Sequence, residues 1–408
     1  MKKDGSYAFF TVWFVCVAGN IYSLTQIMAS IHLRASLSGP GGTDEIIPHF
    51  DLKSFSLLGI IHDFLESHAY LMMVLTFFGA CILFFVRAGV LVYSWRLPNE
   101  HRRFKILQIL DIFTSIVYID VQFFTFMAAI LHNKVSLKLS EYIPIAINAE
   151  VHFVPTFSMM INMMSNTFLA LFLGTILVYT SSQKIRRDHL LLQQQQQDQE
   201  VKRSSSSSST KVISGHTALI LTIIVMAGSY AAMLSLPLMR VEYEGVAGEL
   251  LTILDAPGAQ RVRHYYVPTI GAKVISATPT AQACGVVMAI TFYFLVVVAP
   301  FLFILSSCCL FFVKRRHVVL NFIRGIFPWC GVDILVAGCI ATWLEINMVL
   351  HWVIENSFPG ICEEIDLLSR PGETCVKLNV QLDYGFYFVL LTTASFYISY
   401  LLIRIYWC

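Results

Sequence analysis

Charge is what this sequence has least of. Of 408 residues only 13% are Asp, Glu, Lys or Arg, against about a quarter in soluble domains. The net charge is +2. That leaves no global field to gather nucleic acid, so no nucleic-acid partner is expected. No CxxC occurs among the ten cysteines, which excludes a zinc ribbon and a thioredoxin-like redox motif. No N-x-S/T sequon marks a loop as exposed to the secretory pathway. What is abundant is apolar: 56% of residues are hydrophobic and the mean hydropathy is +0.68. Together these imply a multi-pass membrane protein.

A spanning helix needs roughly 20 mainly apolar residues. Such runs cover about 8–30, 67–95, 106–132, 158–181, 217–238, 284–313, 328–353 and 385–406. They are long and do not alternate, so they read as helices and not as barrel strands. The expected fold is all-α and transmembrane: eight helices as two parallel four-helix repeats. Short basic loops, "RLPNEHRRFK" and "KRRH", fall on the same side as Lys2, Lys3, Lys184, Arg186 and Arg404. Lys and Arg near helix ends set orientation, so that side, with both termini, is expected to be cytoplasmic. Lys2 and Lys3 before "AFFTVWFVCVAG" also fit a signal peptide, but no small-x-small cleavage site follows; an uncleaved first helix is the expectation.

The chain reads as three parts: a membrane unit over 1–182, a linker over 183–215 and a second membrane unit over 216–408. The linker contains "QQQQQDQEVKRSSSSSS". It is too polar to bury a core and is expected to be disordered. Cys362 and Cys375 fall together in the last outer loop. They form either a disulfide, if the compartment is oxidising, or two reduced thiols.

The two membrane units echo each other, which points to an internal repeat. "TQIM" (25–28) closes the first helix and "LPLM" (236–239) the fifth. "GACILFF" (79–85) answers "APFLFIL" (299–305), and "LDIF" (110–113) answers "VDIL" (332–335). An even number of spans per unit makes the repeats parallel. Asp111 and Asp333 therefore recur at the expected start of a third helix. There an acid is favoured by capping and by the helix dipole. Arg87, Asp120, Gln122, Glu345 and Asn347 lie deeper. Asp120 is about 13 Å beyond Asp111, and Glu345 about 18 Å beyond Asp333, at 1.5 Å per residue. Charge at that depth costs several kcal/mol and must be paired, protonated or wet. Two readings stand: a polar path through the membrane, or an interhelical ion pair such as Arg87 with Asp120.

Several stretches resemble the paraquat-inducible protein A family. They are "FSLLGIIHDFLESHAYLMMVLTFFGACILFFVRAGVLVYSW" (55–95), "RRFKILQILDIFTSIVYIDVQFF" (102–124), "SLPLMRVEYEG" (235–245), "FLVVVAPFLFIL" (294–305) and "WCGVDILVAGCIATWLEI" (329–346). The matching motif positions are Ser56, Leu58, Gly59, Leu236, Pro237, Met239, Ala299, Pro300, Trp329 and Asp333. The resemblance covers both membrane units and not the linker. It implies an integral membrane protein that moves lipid between membranes, in some members beside a membrane-bridging partner. The family's zinc ribbons are missing here, so no metal site carries over. The first half lacks the Trp and Ala-Pro positions, and the second lacks a clean Ser-x-Leu-Gly.

Three functions follow as expectations. The first is lipid transport or membrane homeostasis, with membrane lipid and a membrane-bridging lipid-transfer protein as partners. The second is a proton-coupled small-solute transporter using the intramembrane acids. The third is a tetraspanin-like scaffold. No enzyme, cofactor or metal is expected. His62 and Glu66, with Asp63, have ligand spacing on one helical face, but the motif is incomplete. "SMMINMMSN" (158–166) reads as adaptable packing.

Overall fold

The structure is a computed structural model. It describes residues 3–38, 44–46, 50–97, 99–112, 118, 125, 134–138, 146–156, 158–173, 176, 209–244, 261–277, 282–313, 316–357 and 377–407. Among the described residues, five helical runs are long and apolar enough to cross a membrane: Tyr70–Ser94, Thr217–Ser235, Ala283–Cys309, Arg316–Trp352 and Tyr384–Tyr406. Two shorter apolar helices, Phe10–Thr25 and Ser158–Leu173, stand where the first and fourth spans were expected. The expected span at 106–132 falls largely outside the described residues, as do most of the linker and both Cys362 and Cys375. The chain is thus a helical membrane protein.

The first half begins with α1 (Lys3–Thr25), β1 (Ile27–Ser38), β2 (Asp44–Ile46), β3 (Phe50–Ser56) and α2 (Leu57–Glu66). The second span runs as α3 (Tyr70–Thr76), a π-helical turn at Phe77–Ile82, and α4 (Leu83–Arg96). Then come α5 (Glu100–Ile112), β4 (Lys134–Lys138), β5 (Ala146–Pro155) and α6 (Ser158–Leu173). The second half holds α7 (Ser209–Ser235), β6 (Met239–Glu244), β7 (Val262–Tyr265) and α8 (Val267–Ala277). Its second span is α9 (Gln282–Tyr293), a π-helical turn at Phe294–Val298, and α10 (Ala299–Cys309). It closes with α11 (Arg316–Ile326), α12 (Val332–Ser357), β8 (Lys377–Leu382) and α13 (Tyr384–Trp407).

The spanning part is helical, as expected, and the strands add two sheets between the spans. β1 takes over the end of the first expected span from Ile27, and the other described strands lie between the expected spans. In each half a central strand follows the first helix and is flanked on both sides by antiparallel partners. The first sheet has five strands, β3–β1–β5–β4 with β2 also paired to the end of β1, and the second has three, β7–β6–β8. The reason is visible in β6, "MRVEYE". Its apolar and polar residues alternate, and the buried ones are Met239, Val241 and Tyr243. Period-two alternation suits a half-buried strand and no helix.

The junctions also match between halves. Thr156 donates its N–H to the Met28 carbonyl at 2.8 Å, tying the end of α1 to the start of α6. Asp383 donates to Leu238 and Gly385 to Pro237, both at 2.9 Å, tying α7 to α13. Polar contacts join the same helices deeper down. Asn20 donates to Asn162 at 2.7 Å between α1 and α6, and Thr392 donates to Ser229 at 2.9 Å between α13 and α7. All four residues are buried. In a membrane such bonds hold helices together where apolar contact alone gains little over lipid.

The π-helical turns have a local cause in one half. Pro300 has no N–H, so the backbone before it must find other donors. The Val297 carbonyl accepts from the Tyr230 hydroxyl at 2.6 Å, and that of Leu295 from the Gly331 N–H at 2.9 Å. The first half has the π turn without a proline, at Gly79-Ala80-Cys81. The run Arg316–Trp352 is also not one straight span. It breaks at Phe327–Trp329 and Cys330, leaving α11 as a separate amphipathic helix with exposed Val318 and Phe322.

Candidate functional site: the junction between the halves

Glu345 lies on α12 and is 8% exposed. The backbone N–H groups of Leu71 and Met72 donate to its two carboxylate oxygens, each at 2.6 Å. These are orphan donors at the start of α3, a helix whose preceding residue is Ala69 and which has no side-chain cap of its own. The chain enters α3 through a tight turn in which His68 takes φ 60°. Glu345 thus caps a helix of the opposite half, and the positive end of that helix dipole offsets the burial of its charge.

Asn347 is engaged in a comparable way. Its amide donates to the Leu378 carbonyl at 2.6 Å and accepts the Leu378 N–H at 2.7 Å. The side chain therefore acts as a short piece of strand against β8. Asp333 sits in the first turn of α12, accepting the Ile334 N–H at 2.9 Å and the Tyr397 hydroxyl at 3.0 Å. A small cleft at this point is lined by Phe327, Cys330, Thr393 and Tyr397.

Other expected site residues fall elsewhere. Arg87 is 2% exposed on α4, near Phe84, Ala88 and Leu91. It is about 20 Å along the second span from Met72, so Arg87 and Glu345 do not share one cavity. Asp111 lies within α5, which begins at Glu100. It is therefore not in a helix's first turn, and its expected equivalence to Asp333 fails on that point. Asp120 and Gln122 lie outside the described residues, and with them the Arg87–Asp120 pairing. Met159 and Met163 are buried packing residues.

The motif positions have structural explanations. Ser56 caps α2, its hydroxyl accepting the Gly59 N–H at 2.9 Å. A Cβ on Gly59 would lie 2.8 Å from that hydroxyl oxygen, which accounts for Ser and Gly at this spacing. α8 begins differently: the Thr269 hydroxyl accepts the Tyr266 N–H at 3.0 Å. This cap reaches backwards, so no Ser-x-Leu-Gly is required. Pro237 and Met239 bracket the turn from α7 into β6. Trp329 packs its ring on Phe294 and, across the halves, on Tyr118, with centroids 5.8 and 6.1 Å apart.

His62, Asp63 and Glu66 do converge on α2, with ligating atoms within 4.8 Å of one another. His62 Nδ1 lies 3.5 Å from Glu66 Oε1, and both side chains face out. Sequence reasoning missed a second group: Arg263, Tyr265 and Lys273 beneath the second sheet. The Lys273 ammonium sits 4.1 Å from the Tyr265 ring centroid. Burial, then the neighbouring Arg263 charge, lowers the Lys273 pKa to about 8.

Comparison with known proteins returns no match: no family fits the chain, and neither a curated protein nor a solved structure is similar to it.

Proposed function

We propose that this chain is a multi-pass, non-enzymatic membrane protein of the paraquat-inducible protein A kind, taking part in lipid transport or membrane homeostasis. In this reading it is two parallel four-helix units with both termini cytoplasmic. The matching strand orders β3–β1–β5 and β7–β6–β8 support the duplication. So do the matching junctions at Met28 and Leu238.

One observation carries lipid handling above the alternatives. Each half places a short amphipathic helix, α2 or α8, between its sheet and its spanning helices. Leu58 and Leu65 of α2 and Ile275 of α8 are exposed. Apolar side chains offered at the edge of a span sit at headgroup depth, where a lipid enters or leaves. A membrane-bridging partner would dock on the sheets at this end.

The test is lipid extraction and mass spectrometry on the chain purified in mild detergent, beside Leu58→Glu and Leu65→Glu. Enrichment of specific lipid, reduced in the variants, is the expected result. Folded protein with no enrichment would reject the reading. A tetraspanin-like scaffold is the second reading. It is favoured by the engagement of Glu345, Asn347 and Asp333 in holding structure. The same engagement weakens the proton-coupled transporter, because a relay acid must exchange its proton with water.

A further inference from the structure

The two ends of the spans treat their cations differently. On the outer face of the second sheet Arg240 and Arg261 lie 3.3 and 3.4 Å from Glu242, Lys377 lies 3.2 Å from Glu244, and His264 lies 3.6 Å from Asp383. The far ends of the second and sixth expected spans lead into α5 and α11. There Arg102, Lys105, Arg316 and His317 are exposed, and Arg324 is half-buried. Among the described residues Arg102, Lys105 and Arg324 have no ion-pair partner. The sequence offers few candidates. No acid occurs between Asp255 and Asp333, and Glu100 is the only one between Glu66 and Asp111.

The two helices are counterparts. In sequence Arg102-Arg103 answers Arg315-Arg316. With that pairing, buried Leu110 falls on buried Ile323, and exposed Ile109 falls on exposed Phe322. At about 100° per residue, Arg316, His317 and Arg324 share one side of α11. Val318 and Phe322 lie beside them and are exposed, while Ile323 and Ile326 complete the ring and are buried. Phe312, in the turn before α11, is 87% exposed. An end facing only water would not present Phe312, Val318 and Phe322. An end immersed in hydrocarbon would not leave Lys105 and Arg324 without a counter-charge. The boundary of a bilayer meets both demands, with apolar side chains among the acyl chains and cations at the headgroups.

We propose that α5 and α11 dock on the surface of the bilayer that holds the chain and gather anionic phospholipid there. Arg102 and Lys105 of α5 and Arg316 and Arg324 of α11 face the headgroups, and Phe322 enters the acyl region. The lipid supplies the negative charge that this end of the chain lacks. Anionic lipid is concentrated in the cytoplasmic leaflet, the side on which the sequence is expected to place these connections. The surface is separate from α2 and α8, and it stands whether or not the chain transports lipid.

The experiment uses the full chain in nanodiscs of equal parts phosphatidylserine and phosphatidylcholine. Native mass spectrometry counts the lipids that stay on the released chain. Phosphatidylserine should exceed phosphatidylcholine severalfold. Arg102→Gln, Lys105→Gln and Arg324→Gln should each lower phosphatidylserine retention about fivefold, the worth of one cation near an anionic surface. Lys377→Gln, at the outer sheet, should leave it unchanged. Arg102→Gln and Lys105→Gln alter exposed side chains only, so the proposal stands or falls even if Arg324→Gln does not fold. Equal retention of the two lipids by the wild type, or a preference unaltered in the three variants, would overturn the site. An equal loss in Lys377→Gln would reduce it to overall charge and overturn it too. Glycerophosphoserine, the headgroup without acyl chains, should not displace the lipid; displacement at equal concentration would make a free anion the ligand and overturn membrane docking. Retained phosphatidylserine in a chain that co-purifies no lipid from detergent would sink lipid transport and keep the site. Co-purified lipid without a phosphatidylserine preference would do the reverse.

Discussion

Glu345 accepts the backbone N–H of Met72 at 2.6 Å, from a residue 273 positions earlier in the chain. A single carboxylate thereby joins α12 of the second half to the start of α3 in the first. Tyr118 against Trp329 and the Cys284 thiol on the Thr156 carbonyl are further links between the halves.

Removing the Glu345 carboxylate should loosen that joint. Glu345→Ala strands two buried N–H groups and is expected to cost about 3 kcal/mol. Glu345→Gln keeps one acceptor and should cost roughly half as much. Thermal unfolding in detergent reads both, and equal stability of Glu345→Ala and wild type would refute the capping role.

Asn347→Asp is expected to destabilise by about 2 kcal/mol, because a carboxylate cannot donate to the Leu378 carbonyl. Hydrogen exchange gives the local signature: the Leu378 amide should exchange faster while amides in α13 keep their protection. Unchanged exchange at Leu378 would contradict the tie.

Gly385→Ala places a Cβ 2.5 Å from the Pro237 carbonyl oxygen. That neighbour is backbone and cannot rotate away. A loss of about 2 kcal/mol or more is expected. Gly89→Ala and Gly228→Ala meet nothing within 4 Å. They should be neutral or slightly stabilising, since Ala is the better helix former. Melting temperatures of the three variants separate the two cases.

Lys273 makes stability depend on pH in a defined direction. Its folded pKa, about 8, lies below the ordinary lysine value of 10.5. Between those values the unfolded chain binds the extra proton, so stability rises with pH across that window. Below pH 8 both states are protonated and the penalty is constant. The difference in melting temperature between wild type and Lys273→Met should therefore shift in favour of the wild type from pH 8 to 10. A flat difference would mean the amine is not perturbed.

Much of the helical framework is readable from apolar run length alone, because lipid demands it. Asp333 at a helix start was legible for a similar local reason: a short acid caps the turn it begins. The strands had a signal too. "MRVEYE" and "KLNVQL" alternate, but six residues of alternation are easily passed over beside long apolar spans. The pairing of β1 with β5, more than a hundred residues apart, leaves no local trace. The role of Glu345 was hidden for another reason. Its partners are backbone N–H groups, which every residue except proline possesses and which no side-chain pattern marks. Lys273 was overlooked because a lone lysine in "VPTIGAKVISA" reads as an ordinary interfacial charge until β7 brings Arg263 and Tyr265 to it.

The sequence by itself determined that this is a helical membrane protein. It could do so because hydrophobic length and charge placement are local properties that the bilayer reads directly. Tertiary structure alone decided what those charges touch. Which half Glu345 caps, which strand Asn347 holds and which cations share the inner face of the second sheet all depend on contacts between distant segments. The free energy of such contacts belongs to the pair and is written in neither segment alone.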